Sequence, residues 1–144
     1  MILNERQYGI TKTKIKEFEQ AKAKFISDSP VPENRNEQLR HKAYLDTINN
    51  QLEVFKQEIA EYEELKKGDI KSLKLDSFEH LPEALIKARI IRGLTQAQLA
   101  KILKVKHQQV QRDETNKYAS ASFTKLLNIQ KALNLEVKEE LIFK

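Results

Sequence analysis

The chain has 144 residues, contains no cysteine and carries a formal net charge of +5. The lack of cysteine excludes disulfides, thiolate catalysis and cysteine-based zinc sites, and it suits a reducing compartment, so we expect a cytoplasmic protein. No apolar run approaches the roughly 20 residues of a membrane-spanning helix, so we expect no membrane partner.

The positive charge is concentrated in the second part of the chain. Residues 1–76 contain 14 Lys or Arg and 14 Asp or Glu, whereas residues 77–144 contain 12 against 7. Five of the basic residues surround one short predicted helix: Lys101, Lys104, Lys106, Arg112 and Lys117. A basic face can simply be solvated, but this clustering favours a polyanionic partner.

The first predicted helix is short. Residues 1–12 show no clear period and are interrupted by Gly9, so they predict a lead-in segment. From Thr13 the apolar residues fall at helical spacing and predict a helix of about 13 residues that ends near Ile26. Pro30 and Pro32 then require an extended turn.

The second predicted helix is the longest. No Gly or Pro lies between Glu33 and Lys67, so the helix can extend to about 50 Å, and Gly68 is suited to a left-handed cap at its end. Apolar residues recur at spacings of three and four, which is a heptad pattern. They are Leu45, Ile48, Leu52, Phe55, Ile59 and Tyr62, and we call them the heptad stripe.

The heptad stripe has two interpretations. It can form a dimerising coiled coil or bind another partner, or it can be covered by the first helix in a simple hairpin. Because the first predicted helix is too short to cover the whole stripe, we favour a dimer or partner contact. The orientation of a coiled-coil pair stays open.

A basic helical domain follows the two predicted N-terminal helices. We assign residues 1–68 to a helical hairpin arm, 69–80 to a linker, 81–137 to a DNA-binding domain and 138–144 to a tail of undetermined conformation. Leu81-Pro82-Glu83 starts a helix with proline in its first turn, and Gly93 ends it. Ser122 is a candidate cap for the last helix.

Residues 94–115 predict two short helices joined by a tight turn. Thr95 is a suitable N-cap, and Leu99 and Leu103 belong to the apolar stripe of the first helix. Ala100 supplies the small residue needed where two helices cross closely, and Val110 resumes the apolar pattern in a second helix that starts at about Lys106.

This pattern resembles the helix-turn-helix of the XRE (lambda-repressor-like) family of transcriptional regulators. The likeness includes RIIRGLTQ at residues 89–96, QRDE at residues 111–114 and the closing segment at residues 123–135. It covers roughly residues 81–137. The resemblance implies an all-α protein in which a five-helix DNA-binding domain follows the N-terminal arm, and it suggests a buried pair between Arg89 and Glu114.

Two residues depart from the family pattern. Lys104 stands where glycine is usual, so the turn must adopt a left-handed or strained conformation without glycine. Asp113 stands where an apolar or aromatic side chain usually packs inward, so its carboxylate must find a partner, with Arg89 or Arg112 as candidates, or reach water. We expect Asp113→Leu or Asp113→Tyr to raise the melting temperature.

The polar face of the second helix predicts base reading. Glutamine can pair with the N6/N7 edge of adenine, and arginine with O6/N7 of guanine. A merely solvated face would more readily use Lys and Glu. The resemblance places the same residues where family members read DNA: His107, Gln108, Gln109, Gln111 and Arg112.

A second set predicts phosphate contacts. Gln96 begins the preceding helix, where the positive helix end favours a phosphate. Polar and basic residues flank the reading helix, and the complete phosphate set is Gln96, Lys106, Lys117, Tyr118 and Ser120.

Enzyme chemistry finds little support. The three histidines lack the spacing of a metal site, the three glycines form no phosphate-cradling loop, and no serine lies in a nucleophile-elbow pattern. We therefore expect no catalytic residue, no metal and no cofactor.

We interpret the chain as a sequence-specific DNA-binding transcriptional regulator that acts as a homodimer on operator DNA. The alternative is an antitoxin, which would neutralise a toxin protein through its N-terminal arm and autoregulate through the helix-turn-helix. XRE-like domains occur in antitoxins, so the resemblance allows this alternative without selecting it.

Overall fold

The computed structural model describes residues 1–144 and contains α-helices, one 3₁₀ turn and no strand. The helices are α1 (Glu5–Asp28), α2 (Arg35–Lys67), α3 (Leu81–Ile91), α4 (Gln96–Leu103), α5 (His107–Thr115) and α6 (Phe123–Ala132). A 3₁₀ turn at Phe78–His80 precedes α3. The all-α prediction is therefore confirmed. None of the helices combines the length and the apolar character that crossing a membrane requires.

The chain forms two compact units, Met1–Tyr62 and Glu63–Lys144, so the division falls inside α2. We call them the hairpin unit and the C-terminal unit. The hairpin unit contains α1 and most of α2, and the C-terminal unit contains the end of α2 and every later element.

Helix α1 starts eight residues earlier than predicted, because a cap lies in the supposed lead-in. The Asn4 side chain accepts a hydrogen bond from the backbone N–H of Gln7 at 2.9 Å, and the Gln7 side chain accepts one from the N–H of Leu3 at 2.8 Å. This arrangement resembles a capping box. Gly9 lies inside the helix, where its cost is only about 1 kcal/mol. The prediction of a short first helix is wrong, and α1 has 24 residues.

The longer α1 covers the heptad stripe of α2. The Phe18 and Phe55 rings meet edge to face with centroids 5.5 Å apart, and the Tyr8 and Tyr62 rings lie 5.4 Å apart. Within the stripe Ile48, Leu52 and Tyr62 are buried, and Leu45, Phe55 and Ile59 are half-buried. The stripe therefore packs against α1 within one chain, as in the hairpin alternative, and Leu45, Phe55 and Ile59 keep part of their surface accessible.

The end of α2 lies in the C-terminal unit. Gly68 has φ +73°, and its N–H donates to the carbonyl of Leu65 at 3.2 Å, which confirms the predicted left-handed cap. A Cβ on Gly68 would lie only 3.1 Å from the carbonyl oxygen of Ile91. Glycine is therefore required here both by the backbone conformation and by the close approach to α3.

The C-terminal unit has an apolar core to which α3, α4, α5, α6 and the residue after α6 contribute, with Leu85, Ile86, Ile90, Leu99, Val110, Ile129 and Leu133 as its most deeply buried side chains. Residues 81–132 form four α-helices. The predicted number of five helices is reached only if the preceding 3₁₀ turn at Phe78–His80 is counted. Residues 135–144 contain neither helix nor strand. Residues 68–76 and 134–138 flank α3 and line an open groove of about 780 Å³.

Candidate nucleic-acid interface

The turn between α4 and α5 adopts a left-handed conformation without glycine. Lys104 has φ 58° and ψ 40°, and the N–H of Val105 donates to the carbonyl of Ala100 at 3.0 Å. At the start of α4, Thr95 and Gln98 form a reciprocal capping box. Both the predicted cap and the predicted strained turn are therefore confirmed.

The inner face of α5 is fixed by a buried charge pair. Arg89 of α3 donates to both carboxylate oxygens of Glu114, at 2.5 Å from Nε and 2.8 Å from Nη2. The two side chains are only 3% and 0% exposed. Arg89 Nη1 also donates to the carbonyl of Leu94 at 2.7 Å. Such a bidentate, desolvated pair fixes geometry as well as charge, so the pair expected from the resemblance is confirmed.

Gln96 belongs to this buried network. Its side chain is 4% exposed, and its amide nitrogen donates to Glu114 Oε2 at 2.7 Å. The expectation that this side chain lies over a phosphate is therefore incorrect, because Glu114 already holds it in the interior. Gln96 instead links the start of α4 to the inner face of α5.

The outer face of α5 carries most of the predicted base-reading set. His107, Gln108, Gln111 and Arg112 are exposed, and Val110 and Glu114 are buried on the opposite side. Gln109 lies between these faces and is half-buried, and its amide nitrogen donates to Asp113 Oδ1 at 2.9 Å. Four of the five predicted side chains are thus presented to solvent, and the fifth lies at the edge of this face.

Asp113 has a partner that the sequence analysis did not identify. Lys125 of α6 places its Nζ 2.5 Å from Asp113 Oδ2, and the two side chains are 31% and 12% exposed. The proposed partners Arg89 and Arg112 were incorrect, since Arg89 is committed to Glu114 and Arg112 is exposed. The ion pair joins α5 to α6.

The predicted phosphate set divides into exposed and buried residues. Lys106 and Ser120 are exposed. Lys117 is also exposed, and its Nζ lies 3.1 Å from Glu83 Oε2. The hydrogen bond from Lys117 is the main reason why the pKa of Glu83 is lowered, although burial partly opposes it. Lys117 has φ 49°, so a second left-handed lysine follows α5.

Tyr118 is not a surface residue. Its side chain is 5% exposed, and its N–H donates to the carbonyl of Asp113 at 2.7 Å. Burial, followed by the negative charge of Glu114, raises the pKa of its phenol well above the ordinary value. The prediction of a phosphate contact is therefore incorrect, because the ring packs into the domain.

A helix-turn-helix family model matches residues 85–139. Comparisons with curated proteins and with solved structures found no significant match. The matched range begins within α3 and includes both helices of the motif and α6, whereas Glu83, the partner of Lys117, lies just before it. The match of residues 85–139 to the helix-turn-helix model therefore confirms the resemblance found in the sequence for this part of the chain.

Proposed function

We propose that this protein binds operator DNA with sequence specificity, as a homodimer, and regulates transcription. The observation that supports the proposal best is the outer face of α5, where His107, Gln108, Gln111 and Arg112 are exposed together. The buried network of Arg89, Gln96 and Glu114 holds α5 against α3 and α4. The orientation of α5 is therefore fixed in the absence of DNA.

The exposed side chains suit the major groove. Gln108 and Arg112 are four residues apart and share one face of α5. Glutamine complements the edge of adenine and arginine that of guanine, each through paired hydrogen bonds. An α-helix fits the groove, and this motif places its second helix there.

The surrounding charge favours the DNA backbone. Lys101, Lys104 and Lys106 are exposed on α4 and in the turn before α5. Lysines near phosphates supply affinity that does not depend on sequence and weakens as salt rises. We therefore assign base selection to the outer face of α5 and backbone attachment to these lysines.

Dimerisation is proposed on physical grounds. One such domain contacts few base pairs, and two-fold symmetry is the common way in which this motif gains affinity and specificity. Because α1 covers the heptad stripe, we place the dimer contact outside it.

Selection of bound sites from random duplex DNA at physiological salt tests the proposal. We expect a palindrome whose half-sites lie about one helical turn apart. Arg112→Ala or Gln108→Ala should relax one base preference by about 1–3 kcal/mol, whereas Lys106→Ala should weaken all sequences alike and lower the salt dependence. Lys42→Ala, an exposed lysine of the hairpin unit, is the charge-matched control. A uniform loss in all variants would contradict base reading.

An antitoxin role is the second candidate, and one observation favours it. The hairpin unit leaves apolar side chains exposed around its α1–α2 connection, including Val31 at 71% and Leu39 at 58%. A toxin protein could cover them. If the tagged full chain retains a small basic protein and Val31→Asp with Leu39→Asp releases it, the antitoxin role is supported. A dimer that binds DNA and retains no such protein supports the plain regulator.

A further inference from the structure

Both carboxylate oxygens of Asp113 contact a donor on another side chain. Oδ2 accepts from Lys125 Nζ at 2.5 Å, and Oδ1 accepts from the amide nitrogen of Gln109 at 2.9 Å. Lys125, Asp113 and Gln109 therefore form a continuous series of contacts. It begins at the Lys125 ammonium on α6 and ends at Gln109, at the edge of the outer face of α5.

The chemistry of these groups fixes the orientation of the Gln109 amide. An ionised carboxylate can only accept hydrogen bonds, so it must face the NH₂ end of the amide. The carbonyl end of Gln109 is then directed away from Asp113. Lys125 neutralises the carboxylate, which also reduces its repulsion of DNA phosphates.

We propose that Asp113 is a positioning residue for base reading, which holds Gln109 so that its carbonyl oxygen is presented to the major groove. This inference rests on the proposed DNA binding. Adenine N6 and cytosine N4 are the hydrogen-bond donors in that groove. Gln109 should therefore favour adenine or cytosine over guanine or thymine at one position of one strand, by about fivefold for a single hydrogen bond.

Asp113→Asn gives the sharpest test, because it is nearly isosteric and changes only the charge and the hydrogen-bond pattern. The Lys125 ammonium only donates, so it holds the carbonyl end of the new amide. The NH₂ end of that amide then faces Gln109, which must turn its own carbonyl inward and its NH₂ outward. The preference at this position should turn against cytosine, which offers no acceptor in the major groove, and towards guanine or thymine, whose O6 and O4 accept, with adenine retaining only its N7 acceptor. A role in stability alone cannot produce such an inversion.

Asp113→Leu provides the second variant. This variant removes the hydrogen bond that orients Gln109. The roughly fivefold base preference at this position should therefore be nearly lost. Adding Gln109→Ala to this variant should change the preference little further, because the two residues act together. The preference due to Gln108, which lies on the outer face, is the internal control and should persist in every variant.

The experiment compares bound-site selection profiles of the full-length wild-type protein, Asp113→Asn and Asp113→Leu. A switch in the first variant and a loss in the second, both at one position, support the inference. Profiles that match the wild type would overturn it and leave operator binding intact. A wild-type protein that binds all duplexes equally would instead overturn the proposed function and the inference with it.

Discussion

The two units hold their interiors together by different means. In the hairpin unit α1 and α2 meet mainly through rings and apolar side chains, while the ion pair of the Met1 amino group with Glu58 is partly buried and that of Lys56 with Glu19 is exposed. The C-terminal unit adds the buried Arg89–Glu114 pair to its apolar core. Apolar contacts have little directionality, whereas a bidentate ion pair has a strict geometry. The unit with the proposed reading surface is thus the one that contains a fully buried ion pair.

The largest effect is expected from breaking the buried pair. Arg89→Met leaves the Glu114 carboxylate buried without its cation, and we expect the C-terminal unit to lose about 3–5 kcal/mol. Hydrogen exchange followed by mass spectrometry should show the loss in that unit. The double variant Arg89→Met with Glu114→Leu should recover much of the stability, since no buried charge remains. Equal losses in the single and double variants would show that the charge pair does not determine stability here.

A smaller effect is expected from the hairpin interior. Leu52 is 5% exposed, and Leu52→Ala should cost about 2–3 kcal/mol, because it removes buried apolar area and leaves a cavity. Leu52→Met should cost less than about 1.5 kcal/mol, since apolar packing tolerates a change of shape at similar volume. Val54→Ala, on the exposed side of α2, is the control. Urea unfolding measures all three, and a large cost for Leu52→Met would contradict the comparison.

The buried phenol of Tyr118 predicts sensitivity to alkali in the C-terminal unit. Because its pKa is raised in the folded state, the unfolded chain loses the proton first as pH rises. Stability should therefore be unaffected below pH about 10 and then fall by about 1.4 kcal/mol per pH unit. Tyr118→Phe should lack this contribution. Unfolding curves between pH about 9 and about 11 compare the two proteins around the ordinary tyrosine pKa, and identical pH profiles would contradict the assignment.

The smallest effect concerns Asp113, and its sign reverses the expectation from sequence. Asp113→Leu removes the contacts with Lys125 and Gln109, so it should lower the free energy of unfolding by about 1 kcal/mol and reduce Tm. Asp46→Leu, at an exposed position of α2, is the matched control. An increase in Tm would show that apolar packing outweighs the ion pair.

Local features of the C-terminal unit could be predicted from the sequence because their causes lie close together in the chain. The Thr95 cap, the left-handed Lys104 and the Gly68 cap depend on neighbouring residues. The Arg89–Glu114 pair came from the family resemblance. The sequence predicts too short an α1, because Gly9 suggests a break in the helix, whereas the side-chain contacts of Asn4 and Gln7 that cap its true start are visible only in the structure.

The partners of several side chains could not be predicted, because they lie on other helices. Gln96 meets Glu114 across 18 residues, and Asp113 meets Lys125 of α6. Whether a polar residue at the edge of a helix points to solvent or to a neighbouring helix depends on how the helices pack. Tyr118 turned inward for the same reason, through a left-handed backbone that periodicity does not reveal.

The two lysines with positive φ have a consequence for helix α5. Lys104 at φ 58° lies just before α5 and Lys117 at φ 49° just after it. Glycine would adopt either bend more easily, by roughly 1 kcal/mol, but would bring no charge. Both flanks of α5 therefore accept conformational strain and gain a cation: Lys104 leaves its charge exposed before the helix, and Lys117 uses its charge to tie the end of the helix to Glu83 of α3.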